Sequence, residues 1–194
     1  MERRNAAYDP AHFRAAWIRI AKAIRAAGLE EVALVWCYAV EGKHQNYMDW
    51  YPGDDYVDWW AIDLFSPEHL TSGATHRFIR QADQRGYPVM IGECSPRWVQ
   101  AIEGERSWDA WFVPFFKLMD EHENLKAFSY ITYDWGRYYR NSTYLRHWGD
   151  ARVWMDELVW ERWQKELARD RYLHGASQAK VRRLLNLEHQ PEVD

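Results

Sequence analysis

Hydrophobic and polar positions along the chain follow two periods, one helical and one strand-like. Asp9 and Pro10 are typical of a helix start, because Asp accepts free backbone N–H groups and Pro fits the first turn. The apolar residues that follow recur every three or four positions, at Phe13, Trp17, Ile20 and Ile24. Gly28 is typical of a helix end. These features predict a helix over 9–28.

Predicted strands alternate with predicted helices along the rest of the chain. The strands are the apolar segments 31–40, 56–65, 88–91 and 125–133. The helices are 75–84, 107–119 (capped by Ser107) and 150–167, and the segments 41–55 and 134–149 are predicted loops. This alternation indicates an α/β fold with a parallel sheet and right-handed crossovers.

Composition narrows the class of protein. The chain has 194 residues, of which 47% are hydrophobic, and it carries 25 Lys and Arg against 29 Asp and Glu. This fits one folded domain, and the net charge of -4 argues against nucleic acid as a partner. We expect no membrane partner, since no apolar run reaches about 18 residues. The polar start of the chain predicts no signal peptide.

Aromatic residues are in excess, with 13 Trp, 12 Tyr and 7 Phe. Two interpretations are open. Large rings fill cores and interfaces, and composition alone favours this packing role. Flat rings also stack on the apolar faces of sugars, so the excess raises the odds of a carbohydrate cleft.

The chain lacks the sequence patterns of cofactor and metal sites. No glycine-rich phosphate-binding motif and no HExxH motif occurs, and Cys37 and Cys94 are far apart with no CxxC pair. No serine stands in a GxSxG turn. We therefore expect no metal and no cofactor, and we interpret both cysteines as small hydrophobic residues.

A carboxylate lies at or near the end of each predicted strand, at Glu41, Asp63, Glu93 and Asp134. In parallel α/β folds the chemistry lies at the carboxyl ends of the strands, and glycoside hydrolysis uses paired carboxylates. Gly92 favours a functional Glu93, since it allows close approach of the backbone. For Asp63, a structural ion pair and a functional role are equally compatible with the sequence. Glu41 fits a solvated loop position better, and Asp134 is ambiguous.

Three ordered motifs resemble those of a known enzyme family. They are YPGDDYVDWWAID at 51–63, PVMIGE at 88–93 and FSYITYDW at 128–135. They resemble the C-terminal half of clan A glycoside hydrolases, and most closely glycoside hydrolase family 26, the β-mannanase-like group. The resemblance spans roughly 9–168. It implies a partial (β/α)8 TIM barrel with about four C-terminal β/α units, strands five to eight.

The resemblance also implies roles for particular residues. Glu93 would be the nucleophile of a retaining mechanism, paired with a second carboxyl group about 5 Å away. The implied substrate-binding residues are Trp135, which would stack on the sugar, and Trp36, Tyr51 and Asp63. The implied partner is a polysaccharide or oligosaccharide substrate, of β-linked plant type with mannan as the first candidate.

The chain departs from the family in three respects. A complete barrel needs about 250 residues and eight strands. The family's acid/base Glu on the fourth strand has no convincing counterpart, and Phe65 stands where a Tyr commonly contacts the nucleophile. We therefore expect weak or no activity from this chain. Truncation of a longer protein, closure by a second copy and a degenerate remnant all explain a half-barrel, and we favour truncation.

Several further expectations follow. We predict a partial barrel domain over 1–168 and a helical tail over 169–194, with self-association to cover the open half-barrel. The resemblance suggests a secreted or periplasmic protein, but the sequence leaves compartment, sugar and linkage open. Two rival interpretations stand beside the enzyme: a non-catalytic carbohydrate-binding module, and an unrelated α/β protein whose Trp residues only pack the core.

Overall fold

The structure of the chain is a parallel α/β fold. A computed structural model describes residues 9–40, 46–138 and 147–173. Within these ranges a parallel sheet has the order β1-β2-β3-β4, formed by β1 (Val35–Ala39), β2 (Trp59–Leu64), β3 (Val89–Cys94) and β4 (Leu125–Tyr130). The helices are α1 (Pro10–Ala26), α2 (Pro67–Thr71), α3 (Gly73–Gln84), α4 (Glu105–Ser107), α5 (Val113–Glu121), α6 (Trp135–Tyr138) and α7 (Glu157–Leu167). The predicted α/β class and parallel sheet are confirmed.

The first helix forms as its sequence pattern predicts. The Asp9 carboxylate accepts the backbone N–H groups of Ala11 at 2.8 Å and His12 at 3.0 Å, which caps α1. Trp17 anchors the helix by donating its indole N–H to the carbonyl of Tyr56 at 2.8 Å. No helix in the described part of the chain combines the length and the apolar character needed to cross a membrane.

The first two strands are shorter than predicted. β1 begins at Val35 rather than at 31, because its ladder partner Trp59 is the first residue of β2. Residues before Trp59 fold differently, with 3-10 helices at Tyr47–Trp50 and Asp54–Tyr56 inside the predicted loop and the predicted second strand. Tertiary pairing thus sets strand length where an apolar run alone predicts too much.

The helices that flank β4 also begin at unexpected positions. Ser107 is no cap, since it lies inside a helical stretch that starts at Glu105 and continues through a π-helical turn at Trp108–Phe112. Its hydroxyl instead accepts the backbone N–H of Glu103 at 2.9 Å. The last helix starts at Glu157 rather than at 150, with Asp156 as its cap. Most of the predicted tail, 174–194, lies outside the described residues.

The hydrophobic core lies between one face of the sheet and the helices. Side chains alternate between the two faces of a strand, so every second residue of β1 and β2 points into this core. Trp36 and Trp60 meet there with ring centroids 5.0 Å apart, and both are almost fully buried. Trp111 donates its indole N–H to the carbonyl of Phe65 at 2.8 Å, which ties the π-helical turn to the end of β2. Packing therefore explains these Trp residues, as composition alone favours.

The opposite face of the sheet has small side chains and is open to solvent. Cys37 and Ala39 of β1 and Ser129 of β4 are exposed there. Within the described residues, β1 and β4 are also the two edge strands of the sheet. In a closed barrel, further strands would pair with these two edges, and the open face would line the barrel interior.

A histidine pair joins α3 to the turn after α5. His76 Nδ1 and His122 Nε2 lie 2.8 Å apart, which is hydrogen-bond distance when one ring donates and the other accepts. Burial, followed by the charges of His76 and Arg80, lowers the pKa of His122. The pair therefore forms best when His122 is neutral.

We predict that this pair makes folding stability fall as the pH drops below about 6.5. The folded-state pKa of His122 is lowered, so the unfolded chain binds the proton more readily, and stability is full above the unfolded value and declines toward the folded one. Urea unfolding at pH 7.5 and at 5.0 should show a larger loss for the wild type than for His122→Gln. Equal losses in the two proteins would contradict the prediction.

Candidate active site

The carboxyl ends of β1, β2 and β3 bring a thiol and two carboxyl groups together on the open face. Gly92 marks the centre of this group. A Cβ atom at Gly92 would lie 2.9 Å from Asp63 Oδ1, 3.2 Å from Cys37 Sγ and 3.7 Å from the Cβ of Ala61. These residues therefore lie on one face of the sheet. A side chain at position 92 would crowd the Asp63 carboxylate, and glycine avoids this contact.

Asp63 holds this group together through hydrogen bonds. Its Oδ1 accepts the thiol of Cys37 at 3.2 Å. The backbone N–H of Glu93 lies near the same carboxylate and favours its charged form. Burial raises the pKa of Asp63, and the nearby negative charge of Glu93 raises it further. Although Cys37 is exposed as a residue, desolvation and the charge of Asp63 raise the pKa of its thiol, so it stays protonated and donates.

Glu93 is exposed at the end of β3, next to a break in the strand register. Ile62 pairs with Ile91 and Leu64 pairs with Cys94, so two residues, Gly92 and Glu93, stand opposite Asp63 alone. An extra residue of this kind bends a strand and redirects side chains, and such bulges are common beside active sites. The bulge presents Glu93 to solvent above the sheet, where a ligand could reach it.

Aromatic side chains form a wall at the same end of the sheet, beyond β2 and β4. The rings of Tyr133 and Trp135 lie 4.9 Å apart, those of Trp135 and Trp148 5.4 Å, and those of Phe65 and Trp148 4.5 Å. Trp148 is buried, while Trp135 is half-buried and Tyr133 exposed. Part of the Trp135 ring is therefore exposed to solvent, while the buried Trp148 ring packs against it.

Asp134 has a structural role rather than a place beside Glu93. Arg152 donates to Asp134 Oδ2 at 3.1 Å and to Asp150 Oδ2 at 2.6 Å. The Oδ1 atom of Asp134 accepts the backbone N–H of Arg137 at 2.9 Å. This network ties the segment after β4 to the segment before α7, and it resolves the ambiguity that the sequence left. Glu41 lies outside the described residues.

Two of the sequence-predicted substrate-binding residues, Trp36 and Tyr51, lie away from Glu93 in the structure. Trp36 is only 2% exposed, on the helix-facing side of the sheet, because it is offset by one position from the open-face residue Cys37. The Tyr51 hydroxyl donates to Asp54 at 2.6 Å, and Tyr87, just before β3, donates to the carbonyl of Asp54. Tyr51 is therefore near the amino ends of the strands, away from Glu93.

Cys37 and Trp148 are members of the site that sequence reasoning missed. Cys37 was interpreted as a small hydrophobic residue, and Trp148 lies in a predicted loop with no periodicity to mark it. Neither has a local signal, since Cys37 lies in the middle of β1 and Trp148 lies far beyond the end of β4. Within the described ranges, no group of three or more His, Cys, Asp or Glu residues could hold a metal ion.

Comparison with known proteins finds similarity to one enzyme family. The family model described as glycosyl hydrolase family 26 matches residues 12–96, a segment that includes Glu93. A β-1,3-xylanase from an Alcaligenes species is 26% identical over 173 residues. This chain is a relative of glycoside hydrolase family 26. The resemblance given by the three motifs is thereby confirmed.

This chain matches only part of the length of its curated relatives. A second β-1,3-xylanase, TXYA from a Vibrio species, is also 26% identical and aligns with 77% of this chain. The aligned segments cover only 36% of the Alcaligenes protein and 37% of the Vibrio protein. The chain therefore spans little more than a third of the length of these curated relatives.

Solved structures of family 26 enzymes share the fold. A modular endo-β-1,4-mannanase from Cellulomonas fimi superposes with a TM-score of 0.61 at 18% identity, covering 88% of this chain and 38% of that one. The catalytic domain of a Bacillus family 26 endo-β-1,4-mannanase gives 0.56 at 14% identity, with 87% and 46% covered. These neighbours are TIM-barrel enzymes, which agrees with a sheet that is one part of a barrel.

The close approach of Gly92 and Asp63 gives a stability prediction. Gly92→Ala should lower the free energy of unfolding by about 1–3 kcal/mol, because the new Cβ forces the Asp63 carboxylate to move. Urea denaturation measures the loss. Gly136→Ala is the matched control, since its Cβ would make only an ordinary contact at 3.6 Å.

A double variant separates this contact from other effects of the methyl group. If Asp63 is the obstacle, Asp63→Ala combined with Gly92→Ala should cost less than the sum of the two single losses. Strict additivity of the two losses would contradict the proposed contact.

Proposed function

We propose that this chain supplies the nucleophile of a retaining glycoside hydrolase, with Glu93 in that role. The single observation that supports the proposal best is the exposed Glu93 on a strand bulge, beside Asp63 at the open ends of parallel strands. We assign β1 to β4 to strands five to eight of the family barrel. We further propose a domain over 1–168 and a C-terminal segment over 169–194.

In this mechanism the Glu93 carboxylate attacks the anomeric carbon of the substrate. The glycosidic C–O bond breaks, the leaving oxygen takes a proton from an acid, and a covalent glycosyl-enzyme remains. Water then attacks the same carbon and restores the Glu93 carboxylate. Asp63 accepts the Cys37 thiol, and its remaining acceptor sites are available to a sugar hydroxyl.

The acid that completes this mechanism is not identified in the chain. Asp63 is the carboxyl group beside Glu93, but it lies against Gly92 and near the backbone N–H of Glu93, on the same side of the substrate as Glu93 in this proposal. An acid must instead face Glu93 across the scissile bond. We therefore propose weak or no activity for this chain without further strands. This agrees with the alignments, in which the chain matches little more than a third of each curated relative.

The substrate that we propose is a β-linked polysaccharide. Trp135 is placed to stack on a sugar ring near Glu93, with Trp148 behind it. The β-mannanase-like motifs support mannan. The names of the curated relatives support β-1,3-xylan as a second candidate.

Replacement of Glu93 tests the mechanism. An activated aryl glycoside needs little help from an acid, so the wild type should hydrolyse aryl β-mannobioside or aryl β-1,3-xylobioside slowly. Glu93→Gln should reduce this rate on the order of 10³-fold or more, because the attacking oxyanion is lost. Release of the aryl alcohol measures the rate.

The matched control is Glu68→Gln, the same change at an exposed carboxylate in the first turn of α2. It should leave the rate unchanged. Equal rates for wild type and Glu93→Gln would refute the nucleophile. Oligosaccharide binding without any turnover, even of activated substrates, would favour a non-catalytic carbohydrate-binding module instead.

Self-association is the second part of the proposal, supported by the open sheet face and edges. Sedimentation equilibrium of the 23.4 kDa chain should show a larger species that dissociates on dilution. Ala39→Glu places a charge at an exposed position of the edge strand β1 and should favour the monomer. Ala15→Glu, the same change on an exposed position of α1, should not. A monomer at all concentrations would reject self-association.

A further inference from the structure

We propose that Trp98 is a stacking platform for a second sugar residue of the ligand, beside the position that Trp135 serves. This inference rests on the proposed function, which it extends from one sugar ring to a chain of at least two. The ligand class is a β-linked oligosaccharide that presents apolar pyranose faces. The argument uses the exposure of Trp98, its backbone conformation, its support and its continuity with the Glu93 site.

Trp98 is unusually exposed for so large an apolar side chain. Its residue surface is 53% exposed, whereas Trp60 and Trp111 are fully buried in the core. An exposed indole gains little from packing, since burial of its apolar area is the main contribution of Trp to stability. Core packing therefore does not fully explain why a Trp stands at this position.

The backbone at Trp98 is held in an unfavourable conformation. The φ angle of Trp98 is 73° and that of Gln100 is 66°, and both are in the left-handed region that non-glycine residues avoid. Strain of this kind persists where the surroundings impose it, and it concentrates at functional sites.

Neighbouring segments hold Trp98 in place from one side. Its backbone N–H donates to the carbonyl of His147 at 2.8 Å, and its ring stacks on the imidazole of His147 with centroids 3.9 Å apart. Gly149 allows this fit, because a Cβ there would lie 2.2 Å from the Cγ atom of Gln100. The ring is thus fixed before any ligand binds, which lowers the entropic cost of binding.

Planar side chains in contact with one another join Trp98 to Trp135, the residue proposed to stack on a sugar. The guanidinium carbon of Arg97 lies 5.5 Å from the centroid of the Trp98 ring and 5.0 Å from that of Trp148. Trp148 in turn contacts Trp135 and Phe65. Glu93 precedes Trp98 by five residues in the sequence. A sugar chain with one residue on Trp135 can therefore extend toward Trp98 along this aromatic surface.

Binding measurements in the Glu93→Gln background test the platform without turnover. Calorimetry with mannohexaose and with β-1,3-xylohexaose gives the affinities. Trp98→Ala should weaken binding of the preferred hexasaccharide about tenfold, as expected for the loss of one stacking contact of about 1.4 kcal/mol. Trp98→Phe should recover most of the affinity, because it restores a flat ring.

Trp154→Ala is the matched control, since Trp154 is 51% exposed but lies in the 3-10 turn Val153–Met155 before α7. It should bind like the parent protein, and the unfolding midpoint of Trp98→Ala should stay close to that of the parent. Unchanged affinity in Trp98→Ala, an equal loss in Trp154→Ala, or no hexasaccharide binding by the parent would each overturn the platform.

The outcomes also separate this inference from the proposed function. Turnover that depends on Glu93 together with binding that ignores Trp98 would reject only the platform. Binding that depends on Trp98 together with turnover that ignores Glu93 would reject only the nucleophile.

Discussion

The site depends on the position of the Asp63 carboxylate, which lies close to Gly92 and to the backbone N–H of Glu93 where two neighbouring parallel strands run side by side. Glycine at 92 leaves space for this carboxylate, because a Cβ atom there would lie 2.9 Å from Asp63 Oδ1, and the bulge beside it turns Glu93 outward. The Cys37 thiol adds a third strand to the same carboxylate. Displacement of Asp63 would therefore disturb both its packing against Cys37 and Gly92 and the orientation of the exposed Glu93 carboxylate.

The aromatic residues divide into two groups that the sheet separates. One group, with Trp36, Trp60 and Trp111, lies under the sheet and stabilises the helices against it. The other, with Trp98 and Trp135, lies beyond the strand ends and keeps part of its surface in solvent. The same residue type thus serves packing in one place and, in our proposal, sugar binding in another, and burial distinguishes the two.

The open face explains why so little of the reaction can be assigned to this chain alone. In our proposal the exposed Glu93 forms half of a catalytic site, and the acid that would oppose it lies outside β1 to β4. Small exposed residues such as Cys37, Ala39 and Ser129 suit an interior that other strands would cover. Activity and association are therefore linked questions for this protein.

The sequence by itself determined the order of strands and helices, the parallel sheet, the family and the position of Glu93 at a strand end. These follow from local periodicity, from capping residues such as Asp9 and from contiguous motifs. Only the tertiary structure decided which face each residue occupies, because one step along a strand reverses the side: Trp36 is buried while Cys37 is open. It also decided the Asp134–Arg152 ion pair and the Trp98–His147 stack, since contacts between residues far apart in the chain leave no local pattern.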